Sequence, residues 1–545
     1  MAGKISRRDL LKGQFVKKRS LKHLNPKWPT EQVAKSIKQK LSDTPPITKL
    51  TEYSDSPSEL NIISSNKRLR AVDWNEETAA HLLRRTLFAP TFTEIQSAAN
   101  STLEETIDQL LSDQTLPGPP EDWVNEAAPD WDNLSEQDIN NLVDLYFSRI
   151  DVTREWWMNL MSAPVLSIRE TMTLFWHDHF ATGSSKVFFP QAVYGQNNIL
   201  RENCLGNFKT MVRKTTFDPA MMIWLDIIDS TKDAPNENFA REVLELFTLG
   251  VDNYTQNDIV EGARAFTGYL TDGVETNYDY NLGAGNSNFW NYYNDNHDFT
   301  EKTFLGQTGN WNGDDIINII FEQSATAKFI CTKLYQWFLY ENVDDSFVDG
   351  MADVLRNSNY NIKTVMEYLL TSEHFYDPVL RGAIIKNPLN IVQGGIRQFG
   401  LHDKVFPDDF LIDWQWFMGM MPLDPPDVSG WPGYRSWLNS ITFPIRKIAL
   451  INLLDGDGWE DLGFMTDVKK IAQSTTAPND AEILVKDLAL LMFGTPLTET
   501  LKSNLLTALL DGMSISEWNI NAVGAEDRLR NLFRYMARLP EYQLI

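Results

Sequence analysis

The chain has 545 residues, 43% of them apolar and 23% charged, with a formal net charge of −25 at pH 7. That length is ample for a buried core, and the apolar fraction is that of a soluble globular protein. No run approaches the roughly 18 apolar residues of a membrane-spanning helix, and so acidic a body repels nucleic acid.

The charge is uneven. Residues 1–40 hold 12 Lys/Arg against two acids, Asp9 and Glu31. Within them SRRDLLKG, Ser6 to Gly13, matches a twin-arginine export motif through Arg7, Arg8, Leu11 and Lys12. An export signal continues with about 7–15 apolar residues. Here GQFVKKRSLKHLNPKW follows, carrying Lys17, Lys18, Arg19, Lys22 and Lys27. Three readings stand: a degenerate export signal, a basic arm that matches by chance, and a protein exported in the company of a partner. Residues 41–66 are rich in Ser, Thr, Pro and Asp and read as an extended linker. The expected organisation is a poorly ordered arm and linker over 1–72, then a body over 73–545 with a sub-boundary near 400–440.

From Asp73 the pattern turns helical. DWNEETAAHLLRRTLF sets apolar residues at helical spacing behind a first turn rich in acids. TFTEIQSAANSTLEETIDQLLS gives two short amphipathic helices, and TREWWMNLMSA gives another, stopped by Pro164. Further helices are predicted at 165–180, 236–249, 255–267, 313–322, 324–341, 345–356, 361–371, 383–399, 442–453, 479–493, 497–511 and 524–538. Period-2 runs are nearly absent. The strand-like exception is 264–305, where ARAFTGYLTDG and NSNFWNYYNDNHDFTEKTFLG bracket Gly/Asn turns, so the fold expected is mainly α with a small β-hairpin in an insert. Cys204 and Cys331 allow at most one disulfide, and their spacing does not decide it.

Three polar constellations sit among apolar neighbours. In TLFWHDHFATG, a helical wheel puts His177 and His179 about 200° apart, so they cannot chelate one metal as an i, i+4 pair would. His177 shares its face with Glu170 and Thr173, whereas His179 lies among aromatics. In NENFAREVLELFTLGVDNYTQNDI, residues 236–259, Arg241, Glu242 and Glu245 lie in a narrow polar stripe on a helix apolar on its other sides. Glu242 and Glu245 read either as acid/base or metal-ligating carboxylates or as members of an internal salt-bridge network with Arg241. In NYYNDNHDFTEKTFLG, His297, Asp298 and Lys302 share a polar loop that follows Trp290, a composition suited to a glycan or to an ordered surface loop. No phosphate loop, HExxH, GxSxG or EF-hand spacing is present.

Six blocks in order carry a family resemblance: HLLRRTLFAPT (81–91), RETMTLFWHDHFATG (169–183), NENFAREVLELFTLGVDNYTQNDIVEGARAFTGY (236–269), HDFTEKTFLG (297–306), PPDVSGWPGYRSWLNS (425–440) and LPEYQLI (539–545). Together they resemble the bacterial DUF1800 family, a domain of unknown function, over about 75–545. Ala89, Asp178 and Asp427 depart from its usual residues. The resemblance implies no established activity. It implies an extracytoplasmic setting, periplasmic or secreted, and a partner of the DUF1501 type, which is similar to alkaline-phosphatase and sulfatase hydrolases. A cytoplasmic location is the alternative, because no apolar signal region follows Arg7 and Arg8.

The functional expectation is one polar crevice where the three constellations converge. As a hydrolase acting on glycans it would use His177, Glu242, Glu245, His297 and Asp298 as catalytic groups. Arg241, Lys302 and Trp290 would bind substrate, with a divalent metal as an optional cofactor. The rival expectation is a non-catalytic binding or scaffold protein serving a DUF1501-type partner.

Overall fold

The computed structural model describes residues 72–126, 129, 133–270, 291, 292, 294–457 and 461–545. The basic arm, its export-like motif and Trp290 lie outside these residues. Among the described residues the chain forms 21 α-helices and two antiparallel two-stranded sheets, so the mainly α body is as expected.

Three helices open the body: α1 (Glu76–Thr86), α2 (Phe92–Ala99) and α3 (Leu103–Leu110). Each starts at a capping box, on Asn75, Thr91 and Thr102 respectively, and a side-chain cap of this kind is worth about 1 kcal/mol. The 27-residue α4 (Glu136–Ser162) starts at a box on Ser135. After α5 (Arg169–His179) come α6 (Pro190–Glu202), α7 (Phe208–Thr216) and α8 (Pro219–Trp224). Proline opens α6 and α8, at the position where a missing N–H costs nothing. The single helix predicted at 236–249 is instead α9 (Glu237–Glu242) followed by a π-helical turn, Val243–Thr248.

After α10 (Gln256–Ala265), β1 (Tyr269–Leu270) pairs with β2 (Asn291–Tyr292), placing a hairpin in the expected insert. A second pair follows, β3 (Lys302–Phe304) with β4 (Gln307–Gly309). Then come α11 (Gly313–Ile320), α12 (Ser324–Phe338), α13 (Asp345–Asn357), α14 (Ile362–Thr371), α15 (Pro388–Gln398), α16 (Phe410–Met418) and α17 (Thr442–Asp455). The chain closes with α18 (Val468–Gln473), α19 (Ala481–Met492), α20 (Glu499–Leu510) and α21 (Ala525–Arg538).

These helices bury two hydrophobic cores. The first gathers α1–α3, α7 and α9–α14, the second gathers α4 and α15–α21, and α6 and α8 contribute to both. Helix α5 belongs to both: Met172, Phe175 and Trp176 enter the first core, and Leu174 enters the second. Burying a side chain of this size stabilises by about 1.5–3 kcal/mol. A helix clamped between two cores in this way has little solvent face left for its polar residues. The chain crosses from the first core to the second for the last time between Leu380 and Leu389. Within that crossing, Ile384 exchanges backbone hydrogen bonds with Ile545 (2.8 and 3.2 Å). Cys204 and Cys331 are both buried and unbonded. Among the described residues no helix is long and apolar enough to cross a membrane.

Candidate functional site

The wheel's separation of the α5 histidines is reproduced. His177 Nε2 accepts the Leu423 N–H at 3.1 Å, with its ring edge-on to Trp157 and tilted against Trp431. His179 Nε2 sits 3.0 Å from the Phe247 carbonyl oxygen. Only a protonated Nε2 can bond a carbonyl, so the Nδ1 of neutral His179 carries the lone pair. That Nδ1 is buried with no hydrogen-bond partner. Burial draws the His177 pKa down to about 3 and that of His179 well below its ordinary value, so both rings are neutral near pH 7. Glu170, on the His177 face, is bonded by Arg201 (2.9 and 3.0 Å) and by Trp157 Nε1 (2.9 Å).

The second constellation straddles α9 and the π turn. Arg241 bonds Gln256 (3.2 Å), and Glu245 accepts the Tyr254 hydroxyl. Partial burial, then repulsion from Glu245, raises the Glu242 pKa; Arg241 opposes this and Asp427 adds to it. The turn widens because Leu249 N–H bonds the carbonyl five residues back, on Leu244 (2.8 Å), and Thr248 Oγ1 likewise bonds the Val243 carbonyl (2.6 Å).

In the third, the partners are local. His297 Nδ1 donates to the Thr267 carbonyl at 2.8 Å, and burial lowers the ring's pKa. Asp298 receives Arg264 Nε at 2.7 Å and the Thr300 N–H at 2.8 Å. Burial pushes the Asp298 pKa up, but these hydrogen bonds outweigh it and hold the carboxyl well below the usual range. Lys302, 1% exposed, spends its ammonium on the carbonyls of Asp298 and Thr300. Trp290 lies outside the described residues, so its place beside this loop stays an expectation.

What the structure brings together is a different set. A cavity of about 360 Å³ lies where α5 meets both cores, lined from α5 by Asp178 and His179. Facing them are Lys333 and Trp337 of α12, with Trp431, Tyr434 and Trp437 from the GWPGYRSW segment. Arg84 and Arg85 of α1 line it as well, together with Asn387, Asn390 and Glu341. His177, Glu242, Glu245, His297, Asp298, Arg241 and Lys302 do not line it.

Two local features build this cavity wall. Gly430 has φ +84°, and a Cβ there would overlap the Asp178 carboxylate. Glycine therefore allows the turn to come close enough for the Trp431 N–H to reach Asp178 Oδ1 at 2.7 Å. Burial raises the Asp178 pKa to about 6, against the opposing pull of that N–H and of Lys333. The Lys333 amine lies 5.2 Å from the Phe329 ring centroid, and burial lowers its pKa. Among the described residues no group of three or more His, Cys, Asp and Glu side chains is arranged to hold a metal.

Asp178, Arg84, Arg85 and Lys333 were not singled out by sequence reasoning. A signal was nonetheless present, because four of the six ordered blocks, at 81–91, 169–183, 425–440 and 539–545, each supply lining residues. The chain matches the DUF1800 family, described as a protein of unknown function, over residues 81–544. It belongs to that family. No curated protein and no solved structure matches it.

Proposed function

We propose that this DUF1800 protein is a hydrolase that binds a glycan in the cavity between the two cores, with Asp178 as its proton donor. The observation that carries the reading is Asp178 itself: a carboxyl whose pKa burial has raised to about 6, on the wall of an aromatic-lined cavity. A carboxyl poised there keeps a protonated fraction near neutral pH and can protonate a leaving oxygen. Glu341, exposed and lining the same cavity, supplies the second carboxyl that glycoside cleavage uses. The Trp337, Trp431 and Tyr434 rings offer faces for sugar stacking, and Asn387 and Asn390 offer amides for hydroxyls. In this reading His177, His297, Asp298 and Lys302 hold the scaffold. Glu242, Glu245 and Arg241 form the half-buried polar stripe beside the π turn.

The test is release of reducing ends from a polysaccharide panel by the purified full chain. Wild-type protein should release them, and Asp178→Asn should lower the rate at least about 100-fold, the scale of a lost general acid. Equal rates, or no product from any member of the panel, overturn the hydrolase reading. Sugar binding without turnover favours the non-catalytic alternative, in which the chain serves a DUF1501-type partner. The reading carries an extracytoplasmic location, supported by Arg7 and Arg8 and by the family resemblance. Cells expressing Arg7→Lys/Arg8→Lys should retain the protein in the cytoplasm, and an unchanged location overturns this assignment.

A further inference from the structure

Four other buried arginines in this fold have carboxylate partners. Arg201 pairs with Glu170 at 2.9 Å, Arg397 with Glu94 at 2.6 Å, and Arg530 with Glu526 at 3.3 Å, while Arg154 pairs with Asp151. Arg84 and Arg85 are as deeply buried, at 6% and 4% exposure, and have none among the described residues. Each places one Nη2 on a backbone carbonyl, Arg84 on Leu490 and Arg85 on Leu380 at 2.6 Å. The Nε of Arg84 and the Nε and Nη1 of Arg85 have no acceptor.

Their surroundings add positive charge. Lys386, also buried, has its ammonium 3.6 Å from the centroid of the Tyr542 ring. Arg446 is fully buried and bonds the Lys386 carbonyl (2.6 Å) and Gln543 Oε1 (2.7 Å), leaving Nη1 without an acceptor. Arg381 is close enough to repel Arg84 but is itself paired with Glu77 at 2.6 Å. Burial draws both Arg84 and Arg85 down to about 9, with Arg381 adding to the effect on Arg84. The chain is not short of carboxylates, with 74 Asp and Glu against 49 Lys and Arg. Buried charge without a counter-charge is costly, and Arg84 and Arg85 bring it to the wall of the cavity.

We infer that Arg84 and Arg85 form an anion subsite in this cavity, which takes the carboxylate or sulfate group of an acidic sugar. This deepens the glycan reading and rests on it for the sugar alone. The unpaired nitrogens are covered, so the ligand recruits them through a turn of each guanidinium plane. A planar fork with free N–H groups suits a planar or tetrahedral oxyanion. Lys333 also lines the cavity and contributes a further positive charge.

The experiment has two arms on the full chain. In the first, sodium sulfate is compared with sodium chloride at matched ionic strength while thermal unfolding is followed. Sulfate should raise the Tm of wild type by more than it raises that of Arg85→Gln, the shift common to both being the general stabilisation by sulfate. If Arg85→Gln does not fold, Arg85→Lys, which keeps the charge and loses the fork, is expected to shift less than wild type. An equal shift in wild type and variant overturns the subsite. In the second arm, calorimetry compares glucuronate with glucose. Glucuronate should bind at least tenfold more tightly. Equal binding of the two sugars overturns the subsite and leaves the glycan reading standing. An excess sulfate shift in wild type with neither sugar bound keeps the subsite and removes the glycan reading.

Discussion

Asp178 and Asp298 are aspartates in one fold held at opposite ends of their titration range. Asp298 sits in a patch where each charge has its answer: Arg264 at 2.7 Å, the Thr300 N–H at 2.8 Å, and Lys302 folded onto the neighbouring carbonyls. Asp178 has the Trp431 N–H at 2.7 Å and a cavity in front of it. The first carboxyl is driven down and the second is raised to about 6. The contrast teaches that a dense polar cluster in sequence is often one that has satisfied itself. Chemistry is left over where a buried polar group has fewer partners than it can take.

The contrast can be pressed hardest at His177, a neighbour of Asp178 that is enclosed like Asp298. Its pKa is lowered to about 3, so the unfolded chain takes up the proton first. Stability from this ring is complete above about pH 6.5 and is lost as pH falls toward 3, amounting to about 4–5 kcal/mol. His81 and His179, also lowered by burial, act in the same direction. Urea unfolding followed from pH 7 to 4 should show this loss, and His177→Gln should flatten it; an unchanged slope would mean His177 is not enclosed as described.

Next, Asp298→Ala should cost about 2 kcal/mol at pH 7, because it removes the charged acceptor shared by a half-buried Arg264 and the Thr300 N–H. Ligand binding should stay as in wild type, and a loss of binding would move function back to the His297 loop. Asp178→Asn should act with the opposite sign. The raised pKa means that wild-type stability falls as pH rises from about 3.8 to 6. The substitution should therefore stabilise by about 2 kcal/mol at pH 8 and have little effect at pH 4, measured by the same titration. Destabilisation at pH 8 would assign Asp178 to the paired class. The smallest effect is expected from Glu242→Gln, a gain below about 1 kcal/mol from relieving the partial burial of its charge and then its repulsion with Glu245 and Asp427.

Much of the fold was legible because its helices announce themselves with caps and apolar stripes, as at Asn75, Thr91 and Thr255. The divergence of His177 and His179 followed from the helical repeat alone. Helix α6 was not anticipated, since PQAVYGQNNILRE is buried through Arg201 and so shows no stripe. The first half of α4, EQDINNLVDLYFSRI, hides its period among acids and asparagines. The π turn left no pattern, because one extra residue per turn changes geometry without changing composition. The cavity was hard to read for a different reason: Arg84, Asp178, Lys333 and Trp431 come from four separate segments, and no local spacing joins them.

The wide turn at Val243–Thr248 reaches further than its length. Its Phe247 oxygen fixes which nitrogen of His179 holds the hydrogen, and so leaves the buried Nδ1 with a bare electron pair. Removing one residue from that turn would tighten the spiral, carry the oxygen away and let the ring swap tautomers. The tautomer of a side chain on the cavity wall is thus set by a bend outside it.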